Sequence, residues 1–285
     1  MMRDEGYELV IRPSRGWFHL DLQEVWRYRD LLLMMVRRDF LAKYAQTILG
    51  PAWFVLQPVA MTLVFTVIFG HIVGVPTDGV PPVLFYLAGL VVWNYFAQTF
   101  QHTGGTLVAN AAVLGKVYFP RLVVPLSAVV SNLAAFVLQL VTFLGFWAWY
   151  KLASPQGDSF QLSAAIVWFV PMTVLVAAMS LGIGLWLAAA TAKYRDFTFL
   201  LGFIVQLWLY ATPVIYPLSQ IPERWRWLAV ANPMTMPVEA MRLMFLGQGV
   251  VTPSYVALSV TMTVVLLVSG VLVFNRVEKS FVDTV

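Results

Sequence analysis

The sequence predicts an all-α membrane protein with six transmembrane helices and both termini on the cytoplasmic side, and three observations carry that expectation. Hydrophobic residues make up 60% of the 285 and charged residues only 11%, where a soluble domain carries roughly 25% charge. The charges also crowd into clusters that leave six long neutral intervals: 44–77, 79–115, 122–150, 159–192, 197–222 and 243–275. Each is long enough for the roughly 20 apolar residues that a helix needs to cross a hydrocarbon core of about 30 Å. Finally, sorting Lys and Arg by alternate loops places fourteen on one side and only Lys151, Arg224, Arg226 and Arg242 on the other. Cytoplasmic loops hold such an excess. The chain divides into a cytoplasmic N-terminus with an amphipathic interface helix (1–50), a six-span transmembrane domain (51–275) and a short cytoplasmic tail (276–285).

Residues 1–20 read as an irregular lead-in, mixed in charge and without the apolar core of a cleavable signal peptide. Asp21 with Glu24 three residues on is a variant capping box for a helix starting near Leu22. That helix sets Val25, Trp26, Phe40 and Leu41 against Arg27, Arg29, Arg37, Arg38 and Lys43, which suits a helix lying in the membrane interface. A solvated helix packed on a partner protein is the competing role. Gly50-Pro51 then breaks the chain. Spans are expected at about 53–72, 83–100, 123–150 and 164–190, with Gly182 and Gly184 allowing close helix approach in the fourth.

The stretch KYRDFTFLLGFIVQLWLYATPVIYPLSQIPERWR (193–226) holds the fifth span. Pro213 and Pro217 cannot continue a helix, so a bend is expected near Tyr216, where protein or a water-filled cavity must receive the freed carbonyls. Neither apolar piece of 216–253 reaches 20 uncharged residues. Two short helices re-entering from the outer side fit better than another span. A sixth span at about 255–274 closes the set.

Several chemistries are missing. Gly115-Lys116 lacks the upstream glycine of a phosphate-binding loop, because Asn110 stands there. His19, His71 and His102 are scattered and the chain has no cysteine, so no metal site and no catalytic residue is expected. The spans hold no carboxylate or lysine of the kind ion-coupled carriers use. Energy for uphill transport must therefore come from another subunit. A pI near 9.4 raises the idea of a nucleic-acid partner; the basic residues instead sit just outside apolar runs, beside membrane lipids.

Aromatic residues in the first, second and fifth spans offer flat, rigid walls for sugars. Interface belts and lipid-facing packing are the competing roles. Arg224, Arg226 and Arg242 could meet a phosphate near an outer exit, or pair with Glu223 and Glu239.

Four stretches carry a resemblance: RYRDLLLMMVRRDFLAKYAQTILGPAWFVLQP (27–58), NAAVLGKVYFPRLVVPLS (110–127), AAATAKYRDFTFLLGFIVQLWLYATPVIYPLSQIPERWR (188–226) and ANPMTMPVEAMR (231–242), with EKSFVDTV (278–285) at the tail. Together they resemble the membrane (permease) subunit of type-2 ABC exporters of lipid-linked polysaccharide, the O-antigen, capsule and teichoic-acid group. The resemblance implies a homodimer in the cytoplasmic (inner) membrane of a bacterium. It implies no cofactor in this chain, with ATP and Mg held by a partner ABC ATPase subunit. It implies that Arg37, Arg38, Lys43, Lys116, Tyr118, Arg121, Arg195 and Asp196 form the ATPase-coupling surface. Trp53, Phe65, Tyr86, Trp93, Tyr95, Phe96, Phe100, Trp208, Tyr210 and Tyr216 would line the channel. The implied substrate is a polysaccharide on undecaprenyl diphosphate, O-antigen first. An exporter of teichoic acid, drug or another lipid, or a membrane glycan polymerase or ligase, are the alternatives.

Overall fold

The computed structural model describes residues 22–44, 47–114, 116, 119–154, 162–194 and 196–281, and the described residues form helices and connections without strands. The capping residue Asp21, the loop 155–161 and the last four residues lie outside them.

Two helices, α1 (Leu22–Arg27) and α2 (Arg29–Tyr44), open the chain. Met35 is buried where α2 packs against the bundle, and Trp26, Leu33, Met34 and Leu41 remain exposed. Gly50 adopts φ 50°, the left-handed region that a side chain disfavours. Pro51 then sits in the first turn of the next helix, where its missing N–H is not needed. The first crossing helix begins there as α3 (Trp53–Phe65) and continues in π-helical form through Thr66–Ile72.

The next helix, α4 (Pro82–Gly104), is the centre of the molecule. Of its most apolar 18-residue window 83% is buried, against 22–33% in the other crossing helices. Short α5 (Thr106–Ala109) and α6 (Ala111–Leu114) lead to α7 (Val123–Ala153) and α8 (Phe169–Lys193), which flank α4. Beyond them lie α9 (Phe197–Ala211), α10 (Glu223–Val230), α11 (Thr235–Leu246) and α12 (Pro253–Phe281).

Glycines set the tightest approaches. A Cβ added at Gly182 would lie 2.7 Å from the backbone of Leu267, so α8 and α12 meet at distances only glycine permits. One added at Gly184 would lie 2.6 Å from Thr103 of α4. Both glycines therefore have the packing role their sequence position implied.

Among the described residues, five helical stretches are long and apolar enough to cross a membrane: Gly50–Ile72, Pro82–Gly104, Val123–Ala153, Ala164–Lys193 and Pro253–Val277. The remaining expected span is shorter than 197–222 indicated. The 15 residues of α9 rise about 22 Å, less than a hydrocarbon core of about 30 Å. Pro213 is the cause, because a residue preceding proline is pushed out of the helical region. Thr212 accordingly has φ −98° and ψ 141°, so the helix ends there, and the chain turns through 212–214 and bends at Ile215 and Tyr216, where a bend was expected.

Candidate functional site

Connectivity brings α2, the 105–122 connection and the start of α9 to one end of the bundle, and α10 and α11 to the other. At the first end, Met35, Leu107, Leu114, Phe119, Val123 and Phe274 form a buried cluster that fixes α2 on the ends of α7, α8 and α12. Arg37 is exposed there. Arg38 is turned partly inward: its Nε and Nη2 donate to Asp39 Oδ1 at 2.9 and 2.7 Å, and Nη2 also donates to Asn110 Oδ1 at 2.9 Å. Lys116 and Asp196 are exposed and Arg121 half-buried. Tyr118, Arg195 and the side chain of Lys43 lie outside the described residues.

The ten aromatics expected on a channel wall separate into two groups. Phe65, Tyr86, Trp93, Tyr95, Phe96 and Phe100 are buried inside the subunit, none more than 3% exposed. Enclosure of α4 explains this, since five of the six sit on that helix. They pack by ring contact: Phe96 stacks on Phe100 at 5.8 Å, and Trp208 meets Phe96 edge-on at 5.1 Å. Trp53 and Tyr210 are exposed, and Trp208 and Tyr216 half-buried. Trp208 Nε1 also donates to Asn232 Oδ1 at 3.0 Å, tying α9 to the α10–α11 connection.

The three outer arginines also differ from one another. Arg224 is exposed beside the Trp225 ring, and Arg226 is half-buried with a 3.4 Å bond from Nη2 to the Ile221 carbonyl. Arg242 does not reach the surface; it is 1% exposed. Its Nη1 donates to Glu239 Oε1 at 3.0 Å and to the Pro213 carbonyl at 2.7 Å, its Nη2 to the Val214 carbonyl at 2.8 Å, and its Cζ lies 3.6 Å from the Phe85 ring centroid. Glu239 in turn accepts from Leu218 N at 3.3 Å and Val250 N at 2.9 Å. This buried pair satisfies the carbonyls released where α9 ends. It is the pairing alternative of the sequence reading, in a site closed to a phosphate ligand.

A second set of polar groups, of which only His102 was remarked in the sequence, lies between α2, α4 and α7. Asn94 Nδ2 donates to Gln139 Oε1 at 3.2 Å between α4 and α7. Nearer the α2 end, Asp39 Oδ2 lies 3.8 Å from His102 Nε2, while Asn132 Nδ2 lies 3.5 Å from His102 Nδ1. Asp39, Ala42, Gln98, Gln101, His102 and Asn132 line a groove of about 480 Å³. A signal was present: Asn94, Gln98 and Gln101 recur at i, i+4 and i+7, one helix face, within an apolar run.

Residues 30–246, from the start of α2 to the end of α11, match the ABC-2 type transporter family. The chain belongs to the ABC-2 type transporter family. ABC-2 relatives align along nearly the full chain. The O-antigen export system permease protein RfbA of Myxococcus xanthus is 28% identical over 93% of this chain and 98% of its own length. The O-antigen export system permease protein RfbA of Klebsiella pneumoniae is 24% identical over 89% and 94%. The polysialic acid transport protein KpsM of Escherichia coli is 21% identical over 87% and 93%. Membership of the ABC-2 family together with the apolar helices makes this a multi-pass membrane transport protein.

Proposed function

We propose that this chain is the permease subunit of an ATP-driven exporter that carries polysaccharide on undecaprenyl diphosphate, most specifically O-antigen, across a bacterial cytoplasmic membrane. The observation that carries the reading is the end-to-end similarity to two O-antigen permeases and one polysialic acid transporter, over 87–93% of the chain. Two copies would enclose the pathway, and two ABC ATPase subunits holding ATP and Mg would dock beneath. In this arrangement α9 and the 212–217 stretch together make a sixth crossing, both termini face the cytoplasm, and α10 and α11 re-enter from outside.

Arg37, Lys116 and Asp196, exposed at the α2 end, supply charges for the ATPase contact, with Tyr118 and Arg195 beside them in sequence. Of the ten aromatics expected on the channel wall, Trp53, Trp208, Tyr210 and Tyr216 are the ones left accessible for a sugar pathway. Flat apolar rings without fixed charge hold sugars weakly enough to let a polymer slide. Arg224 and Arg226 remain the arginines available to a diphosphate on the outer side.

Deleting the gene tests the reading, with surface polymer measured on intact cells and total polymer measured after lysis. Finished polymer should accumulate inside and vanish from the surface. Normal surface polymer in the deletion strain would overturn the proposal. Arg195→Ala and Tyr118→Ala should lower polymer-dependent ATP hydrolysis without reducing the amount of assembled protein.

A further inference from the structure

We propose that the groove between α2, α4 and α7 is a binding subsite for uncharged hexose units of the glycan, entered from the α2 end of the molecule. The inference rests on the polysaccharide-export reading and adds a place where the polymer is recognised.

The groove is built from polar side chains where lipid-facing or core packing would use apolar ones. Three amides, Asn94, Gln98 and Gln101, follow one face of α4 over two turns. A polar side chain on a membrane helix is costly unless it meets protein or water. Two cross-links hold the walls in register: Asn94 to Gln139, and His102 to Asn132. They are eight residues apart on α4 and seven on α7, about 11 Å along antiparallel helices at 1.5 Å per residue. The polar wall therefore continues from the middle of α4 to its end, where Asp39 of α2 closes it.

Size and chemistry together select the ligand. About 480 Å³ falls within the range of roughly 300–1,000 Å³ typical of small-molecule sites. Gln101 presents a carbonyl acceptor and an amino donor, Asp39 adds a carboxylate acceptor, and Asn132 offers its carbonyl oxygen, since its Nδ2 already donates to the Ala128 carbonyl at 2.9 Å and lies 3.5 Å from His102 Nδ1. Alternating donors and acceptors match the hydroxyl groups of a hexose, each both donor and acceptor. An anion fits poorly, because the Arg38 guanidinium beside the groove already donates to Asp39 and Asn110 while the Asp39 carboxylate faces in. An acyl chain would desolvate the Asp39 carboxylate and the amide heads without pairing them.

Gln101 provides the test because it is exposed and its replacement leaves the helix packing intact. The permease with its ATPase partner, reconstituted in vesicles, is titrated with the lipid-linked polymer purified from the deletion strain. Gln101→Leu should raise the polymer concentration for half-maximal ATPase stimulation about five-fold, the size of one lost hydrogen bond. Gln101→Asn should restore most of the difference. A photoreactive phenylalanine analogue at position 101 should capture glycan during export. The same group at position 265, exposed on α12, should capture none. Unchanged half-saturation in Gln101→Leu and Gln101→Trp, with no glycan captured at 101, would overturn the subsite and leave export standing. A wild-type complex that polymer does not stimulate would overturn both.

Discussion

Glu239 and Arg242 lie three residues apart on α11, yet each bonds to segments far from it in sequence: Arg242 to the carbonyls of Pro213 and Val214, Glu239 to the amides of Leu218 and Val250. Removing one charge strands the other in a site where both side chains are 2% exposed. Such a loss costs about 3–5 kcal/mol. Arg242→Met should therefore lower the unfolding midpoint in detergent strongly, and adding Glu239→Gln should recover part of that loss. An Arg242→Met protein as stable as wild type would show that the pair contributes nothing. Gly182 makes a separate case, since its missing Cβ would face backbone atoms of Leu267, which cannot rotate away. Gly182→Ala should destabilise by about 1–3 kcal/mol, whereas Gly145→Ala, with nothing within 4 Å, should be neutral or slightly stabilising. The pairing of Glu239 with Arg242 was legible because i,i+3 residues share a face. Their carbonyl and amide partners, 11 to 29 residues away, were not.

Among the elements, α3, α4, α7, α8 and α12 sit close to the expected limits because uninterrupted apolar length is what a bilayer demands of a helix. Their arrangement was hidden for a related reason. Lipid is as apolar as a protein core, so hydropathy does not tell which helix is inside. The innermost helix, α4, has the lowest mean hydropathy of the five crossing stretches, 1.4, while α12, the least buried, has 2.5. Aromatics on α4 accordingly read as a channel wall when they are core, and its amides passed unremarked though they mark an accessible face. The bend at Ile215 and Tyr216 was legible from the two prolines, whereas the earlier end of α9 was not, because it is set by the residue before Pro213 leaving the helical region. Whether α9 completes a crossing is testable, since the chain has no native cysteine. A membrane-impermeant maleimide should label Arg224→Cys in intact spheroplasts, and Lys116→Cys only after permeabilisation. Labelling of both from the same side would remove the sixth crossing.

For the whole molecule, the question is where the free energy of export enters. A chain that moves a polar polymer against its gradient needs either a coupled ion or a hydrolysed nucleotide. The described crossing helices carry no carboxylate or lysine in their membrane-buried stretches that could relay a proton. Buried Glu239 does not fill that role, because its oxygens accept from Arg242, Leu218 N and Val250 N. A carboxylate held by a guanidinium and two amides is fixed in place, with its oxygens already committed. No glycine-rich phosphate loop occurs in the sequence either. Vesicles holding this chain alone should therefore move no polymer, with ATP or with a proton gradient, while vesicles that also hold the ATPase should move it. Transport by the pair should stop with a non-hydrolysable ATP analogue and continue when an uncoupler collapses the proton gradient. Per assembled complex, Glu239→Gln should keep most of that transport, since the amide oxygen still accepts the Leu218 or Val250 amide and no proton needs to move, even though stranding Arg242 lowers the amount of folded protein. Polymer movement by the isolated chain under a proton gradient, lost in Glu239→Gln, would make the buried carboxylate the energy input and remove the need for a nucleotide-hydrolysing partner.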